Sequence, residues 1–114
     1  MIFIKLDKVP SLNQFYSGMH WSKRDKITNL LKLTILSQLS KYNKVQYEKI
    51  SVTLRCNYRY DIDNSIMAVK FVLDAFRRWG GVKDDSPKYL EQVTLIVDKS
   101  LPRDTAVVEI AEKK

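Results

Sequence analysis

Residues 50–60 alternate without a break. Ile50, Val52, Leu54, Cys56, Tyr58 and Tyr60 interleave with Ser51, Thr53, Arg55, Asn57 and Arg59. A period of two defines a strand with one face on a core and the other on solvent or a ligand. Directly afterwards the period changes. Ile62, Ile66, Val69, Leu73 and Phe76 follow at intervals of four, three, four and three, which is helical spacing. Gly80-Gly81 then stops the pattern, as glycines just past a helix do. A one-faced strand running into an amphipathic helix has to bury both apolar faces against each other. The expected architecture is therefore a sheet with helices packed on it.

The remaining chain extends that plan. Ile2, Ile4 and Leu6 alternate with Phe3, Lys5 and Asp7, which predicts a first strand. Residues 9–18 hold Pro10, Ser11, Asn13, Ser17 and Gly18 and read as a loop. Over residues 20–42, Ile27, Leu30, Leu31, Ile35 and Leu39 recur at helical spacing beside Lys23, Arg24, Lys26 and Lys32. This predicts a long helix with a core stripe and a basic face. Residues 90–99 and 105–113 read as two strands joined as a hairpin through residues 100–104. The order is β-α-β-α-β-β: one small α/β (α+β) domain over residues 1–114, with a mixed sheet and two helices.

Composition narrows the function. The 114 residues carry 20 Lys+Arg against 13 Asp+Glu, and 45% of them are hydrophobic. Such a chain builds a core and is not disordered. The longest apolar runs are four residues, as at 1–4 and 66–69, so no membrane-spanning helix is expected. Residues 1–6 are too short for a signal peptide. The single Cys56 and single His20 exclude an internal disulfide and a Cys/His zinc site within one chain. A cytoplasmic location is the default expectation.

The charge is uneven. Residues 8–59 hold ten Lys or Arg and two acids, whereas residues 61–85 hold five acids: Asp61, Asp63, Asp74, Asp84 and Asp85. A basic surface fits a polyanion, and carboxylates repel one unless a cation sits between. If the chain stays extended past Tyr60, Asp61 and Asp63 converge on one side. Mg²⁺ takes one or two such carboxylates together with phosphate and water. Asp85 joins them only if the loop after the helix folds back. Spacing alone allows a plainer account, in which Asp63 caps the helix and Asp84-Asp85-Ser86-Pro87 is a solvated turn.

Asp61-Ile62-Asp63-Asn64, then Lys70, Asp74-Ala75-Phe76 and Asp84-Asp85, resemble the pattern of the RusA family of Holliday junction resolvases. Pro10-Ser11-Leu12-Asn13 and Tyr16 are similar to the family's opening, so the likeness covers residues 8–98. The resemblance implies a homodimeric, frequently phage-encoded endodeoxyribonuclease that resolves four-way DNA junctions in recombination and repair. It implies Mg²⁺ on Asp61, Asp63 and Asp85, support from Asn64, a catalytic Lys70, and no organic cofactor. Five residues separate Asn64 from Lys70, a longer spacing than the family's. Met67 holds the lysine spacing counted from Asn64, and Lys70 holds it counted back from Asp74.

In that reading Lys23, Arg24, Lys26, Arg55 and Arg59 hold DNA through phosphates, although the first three equally suit the solvated face of a helix. Tyr58 and Tyr60 are expected to pack inward, Trp21 and Trp79 to make core or dimer contacts, and Cys56 to be buried. His20 has no identifiable partner that would make it a base. Two other functions fit less of the pattern: a non-catalytic basic DNA-binding module, and a Mg²⁺ enzyme acting on nucleotides or RNA.

Overall fold

The computed structural model describes residues 1–84 and 86–113. Its elements are β1 (Ile2–Leu6), α1 (Leu12–Ser17), α2 (Trp21–Leu39), β2 (Ile50–Cys56), a 3₁₀ turn (Ile62–Ser65), α3 (Ile66–Trp79), β3 (Leu90–Val97) and β4 (Ala106–Glu112). The four strands form one mixed sheet in the order β1-β4-β2-β3. β2 runs parallel to β3, and β4 runs antiparallel to both β1 and β2. The expected small α+β domain is what the chain forms, with one helix more than the periodicity shows.

The inward positions of β1, β2 and β4 are all buried: Ile2, Ile4 and Leu6; Ile50, Val52, Leu54 and Cys56; Ala106, Val108 and Ile110. They pack with α3, eight of whose residues are buried, from Met67 to Phe76. Full burial of a Val, Leu, Ile or Phe side chain contributes about 1.5–3 kcal/mol, so this shared core is a main source of the fold's stability.

The expected β3–β4 hairpin does not form, because β2 lies between its two strands. The ends of the 98–105 connection are pinned to the last turn of β2. Asp98 N–H donates to Cys56 O (2.9 Å), Asn57 N–H to Thr105 O (3.0 Å) and Asp104 N–H to Asn57 O (2.9 Å). The Asn57 amide also donates to Leu101 O at 2.9 Å. Pairing both neighbours against a central strand satisfies more backbone groups than a two-stranded hairpin could.

Two further expectations change. Residues 12–17 are helical, not loop. Ser11 accepts from Gln14 N–H, and the Gln14 side chain accepts from Ser11 N–H. That reciprocal capping box starts a helix even one this short. In α2 only Ile35 and Leu39 are buried, while Leu30 is 67% exposed. Leu30 therefore lies off the core stripe to which its spacing assigned it. Trp21, at the start of α2, is also exposed and is not a core residue.

α3 ends on Gly80 at φ 91°, a left-handed conformation that side chains with a Cβ disfavour. At Gly81 a Cβ would lie 2.3–2.6 Å from the buried Phe76 ring. Gly81 N–H donates to Phe76 O, and Gly81 O accepts from Tyr47 N–H, so the backbone there has little room to retreat. Gly81→Ala is expected to destabilise the fold by roughly 1–3 kcal/mol, the usual cost of overpacking a core. A lowered urea midpoint checks this, and an unchanged midpoint contradicts it. Among the described residues, no helix is long and apolar enough to cross a membrane.

Candidate functional site

The chain leaves the sheet at Cys56, four residues earlier than the alternation implies. Tyr58 and Tyr60 still turn inward as expected. Tyr58 is buried and its hydroxyl donates to Asp7 O at 3.1 Å; the half-buried Tyr60 donates to Val9 O at 2.8 Å. Their rings stack with centroids 5.1 Å apart. The pair fastens the segment after β1 to the segment after β2.

Burial, together with nearby negative groups, pushes both phenol pKa values well above the ordinary tyrosine range. Unfolded tyrosines ionise near pH ~10. These two therefore contribute stability that is fully present below that pH and is lost as pH rises above it. The denaturation midpoint is expected to fall above pH ~10, and Tyr58→Phe/Tyr60→Phe should flatten that fall. Equal slopes in the two proteins would contradict the assignment.

Asp61 follows in extended conformation (φ −60°, ψ 146°), and the chain then winds into the 3₁₀ turn rather than staying extended. The helix proper begins at Ile66, so Asp63 lies in the turn preceding α3. Asp61 and Asp63 thus do not continue the outer side of β2. Neither performs the plain capping duty that a carboxylate here invites. Asp61 occupies the cap position of the turn without a side-chain cap bond, and Ser65 occupies that of α3, also without one. The Ser65 hydroxyl instead donates to Ile62 O. Both carboxylates are exposed, and among the described residues neither makes a hydrogen bond or ion pair. Among those residues no group of three or more His, Cys, Asp or Glu side chains comes together. Asp85, the third ligand the resemblance implies, lies outside the described residues.

Asn64 accepts from Asn13 N–H through its side-chain oxygen at 3.1 Å. This bond joins the turn carrying both aspartates to α1. A shallow concavity there is lined by Leu12, Asn13, Tyr16, Ser17, Asn64 and Lys70. The Lys70 ammonium lies over the Tyr16 ring, 5.8 Å from its centroid, a cation–π contact that orients a charge without neutralising it. Lys70 stands four residues before Asp74, a spacing that suits a helical ion pair, yet the two do not pair. Asp74 binds Arg77 at 2.8 Å and Arg78 at 3.4 Å, toward the end of α3. Met67, the other candidate for the lysine position, is buried in the core while Lys70 is exposed. A lysine placed at Met67 would therefore be buried.

The basic candidates fall into two places. Lys23 and Arg59 line a groove with Lys8, Tyr58, Tyr60 and Asp104. Arg59 is mostly exposed and lies 3.5 Å from Asp104. Lys26 is exposed on α2; Arg24 is half-buried there, with its Nε buried and unpartnered among the described residues. Arg55 lies elsewhere. It alternates with buried Leu54 and Cys56, so it points from the far face of the sheet, where it binds Glu109 at 3.2 Å. Arg55 does not share a surface with the groove.

His20 is the cap of α2, its Nδ1 accepting from Ser22 N–H at 3.2 Å, which gives it a structural duty. Cys56 is buried as expected, and Trp79 is half-buried with its ring on Phe76. Sequence reasoning missed Lys8 as a groove residue, and missed the contact of Asn13 and Tyr16 with Asn64 and Lys70. The capping box at Ser11 and Gln14 was the available signal for a helix at that place.

Neither a protein-family model nor a curated protein matches the chain.

Proposed function

We propose that the protein is a Mg²⁺-dependent endodeoxyribonuclease that resolves four-way DNA junctions, acting as a homodimer in the cytoplasm. The observation that carries this reading is the pair of exposed carboxylates, Asp61 and Asp63, which make no hydrogen bond or ion pair among the described residues. An uncompensated pair of acids on a basic protein is costly near a polyanion unless a cation stands between them. Their donor atoms are hard oxygens, which suit Mg²⁺, and Asp85 would complete the set. Bound there, Mg²⁺ supplies charge neutralisation, a water of lowered pKa and stabilisation of the leaving oxygen.

The chain's own residues do the rest. Asn64 holds the aspartate turn to α1. Lys70, unpaired except for the Tyr16 ring among the described residues, offers a positive charge to the phosphate as negative charge builds on it. Lys8, Lys23 and Arg59 line the groove that would take backbone phosphates. A two-fold dimer presents two identical sites for two symmetric cuts.

The test uses an end-labelled synthetic four-way junction on a denaturing gel. Discrete products that require Mg²⁺ support the reading. An intact junction bound with a steep salt dependence would instead favour a DNA-binding module without catalysis.

A further inference from the structure

A sheet of four strands has two edges, and this protein treats them differently. The outer edge of β1 is closed by side chains of α2 and the residues that follow it. Lys5 N–H donates to Gln38 Oε1 (2.7 Å), and Gln38 Nε2 donates to Lys5 O (2.7 Å). Phe3 N–H donates to the Tyr42 hydroxyl (3.1 Å), which in turn donates to Phe3 O (3.2 Å). Four backbone groups that could accept another strand are thereby occupied.

The edge at β3 has no such closure by side chains among the described residues, where its backbone pairs only with β2; its register shifts at Glu91, and residues 92–97 then run regularly. Val93 and Val97 are also exposed there, at 36% and 52%. Both lie on the helix-covered side of the sheet, beside Val52 and Cys56. An open edge carrying exposed valines is a template for another strand, which proteins ordinarily block.

We infer that β3 is the dimer interface, pairing antiparallel with β3 of a second copy across a two-fold axis at Leu95 to make one eight-stranded sheet. The choice of a second copy rests on the junction-cutting reading; the choice of surface rests on the two edges alone. The strand is self-complementary in this register. With Leu95 opposite itself, Val93 meets Val97 and Thr94 meets Ile96, all within the strand. The two exposed valines of each copy thereby cover those of the other on the helix-covered side of the sheet. A shift of two residues one way puts Val97 opposite Glu91, at the register shift; the other way carries Val93 past the end of the strand at Val97. A shift by one residue sends Val93 to the wrong face.

The register makes a specific cross-linking prediction. Opposed residues of an antiparallel pair have Cα atoms about 4.5–5.5 Å apart, within disulfide range. Two copies of Val93 would be offset by four residues, about 13 Å at ~3.3 Å per residue. Val93→Cys alone and Val97→Cys alone should therefore give no covalent dimer under oxidation. The two proteins mixed and allowed to exchange should give one, and so should the double variant. Wild-type protein should scatter light as twice 13.4 kDa, and Val93→Lys/Val97→Lys as a folded monomer by circular dichroism.

A wild-type monomer overturns the inference. So does a dimer that persists in the double-lysine variant, or one in which only the single-cysteine proteins cross-link. Loss of the dimer in Leu30→Lys/Leu33→Lys, whose leucines are exposed on α2, with none in the valine variants, also overturns it. A cross-linked dimer that leaves junctions uncut supports the interface and removes the nuclease reading, so the two fail separately.

Discussion

Asp61→Asn and Asp63→Asn are each expected to lower single-turnover junction cleavage by about a thousandfold or more. Loss of a metal-ligating carboxylate removes several kcal/mol of transition-state stabilisation, and each ~1.4 kcal/mol is a factor of ten. Stability should stay within ~0.5 kcal/mol of wild type, because neither carboxylate makes a hydrogen bond or ion pair among the described residues. Junction binding should persist or tighten, since a charge that repels phosphate is gone. Asp85→Asn is expected to show the same loss. Asp74→Asn is the control: its carboxylate is held by Arg77 and Arg78, and cleavage should be near wild type. Wild-type cutting by either Asp61 or Asp63 variant would take that residue out of the site.

Lys70→Ala is expected to slow cleavage by roughly a hundredfold, the usual effect of removing one preorganised positive or hydrogen-bonding group from a developing charge. Folding should be unaffected, because the side chain is exposed and its ammonium, lying over the Tyr16 ring, makes no ion pair among the described residues. Lys70→Arg should recover part of the rate, as it keeps the charge over the ring. Tyr16→Leu should give a smaller loss, because the ring only orients the ammonium. An unchanged single-turnover rate in Lys70→Ala would move the role to another cation. Arg59, in the groove with Lys8 and Lys23, is the next candidate.

Much of this fold is legible in the sequence where burial is one-sided. The alternation over residues 50–60 locates β2 because β2 is central and every second residue is buried. The four-three spacing locates α3 for the same reason. It places the start of the helix too early, since a 3₁₀ turn keeps Ile62 on the apolar side without being α-helical. α1 is too short to show a period, and only Ser11 and Gln14 betray it. The β3–β4 arrangement is invisible locally. A short connection between two strands looks like a hairpin until a third strand is known to stand between them.

The candidate site was partly legible. The Asp-x-Asp motif at the end of a strand locates it, and the lack of any capping bond from either aspartate is visible only in three dimensions. The spacing of Lys70 to Asp74 pointed to an ion pair that Arg77 and Arg78 form instead. Asn13 and Tyr16 meet Asn64 and Lys70 across more than forty residues of chain, a juxtaposition no local pattern encodes. Arg55 looked equivalent to Arg59 by alternation, yet the strand ends between them and they serve different faces.

The most direct test of paired, metal-dependent cutting at Asp61 and Asp63 is a supercoiled plasmid that extrudes a cruciform. Two symmetric cuts in one encounter release linear DNA, whereas a single cut releases a nicked circle. Linear product that requires Mg²⁺ and disappears with Asp61→Asn is the predicted result. A plasmid left supercoiled by the wild-type protein with Mg²⁺, or equal linear product from Asp61→Asn, would contradict the account.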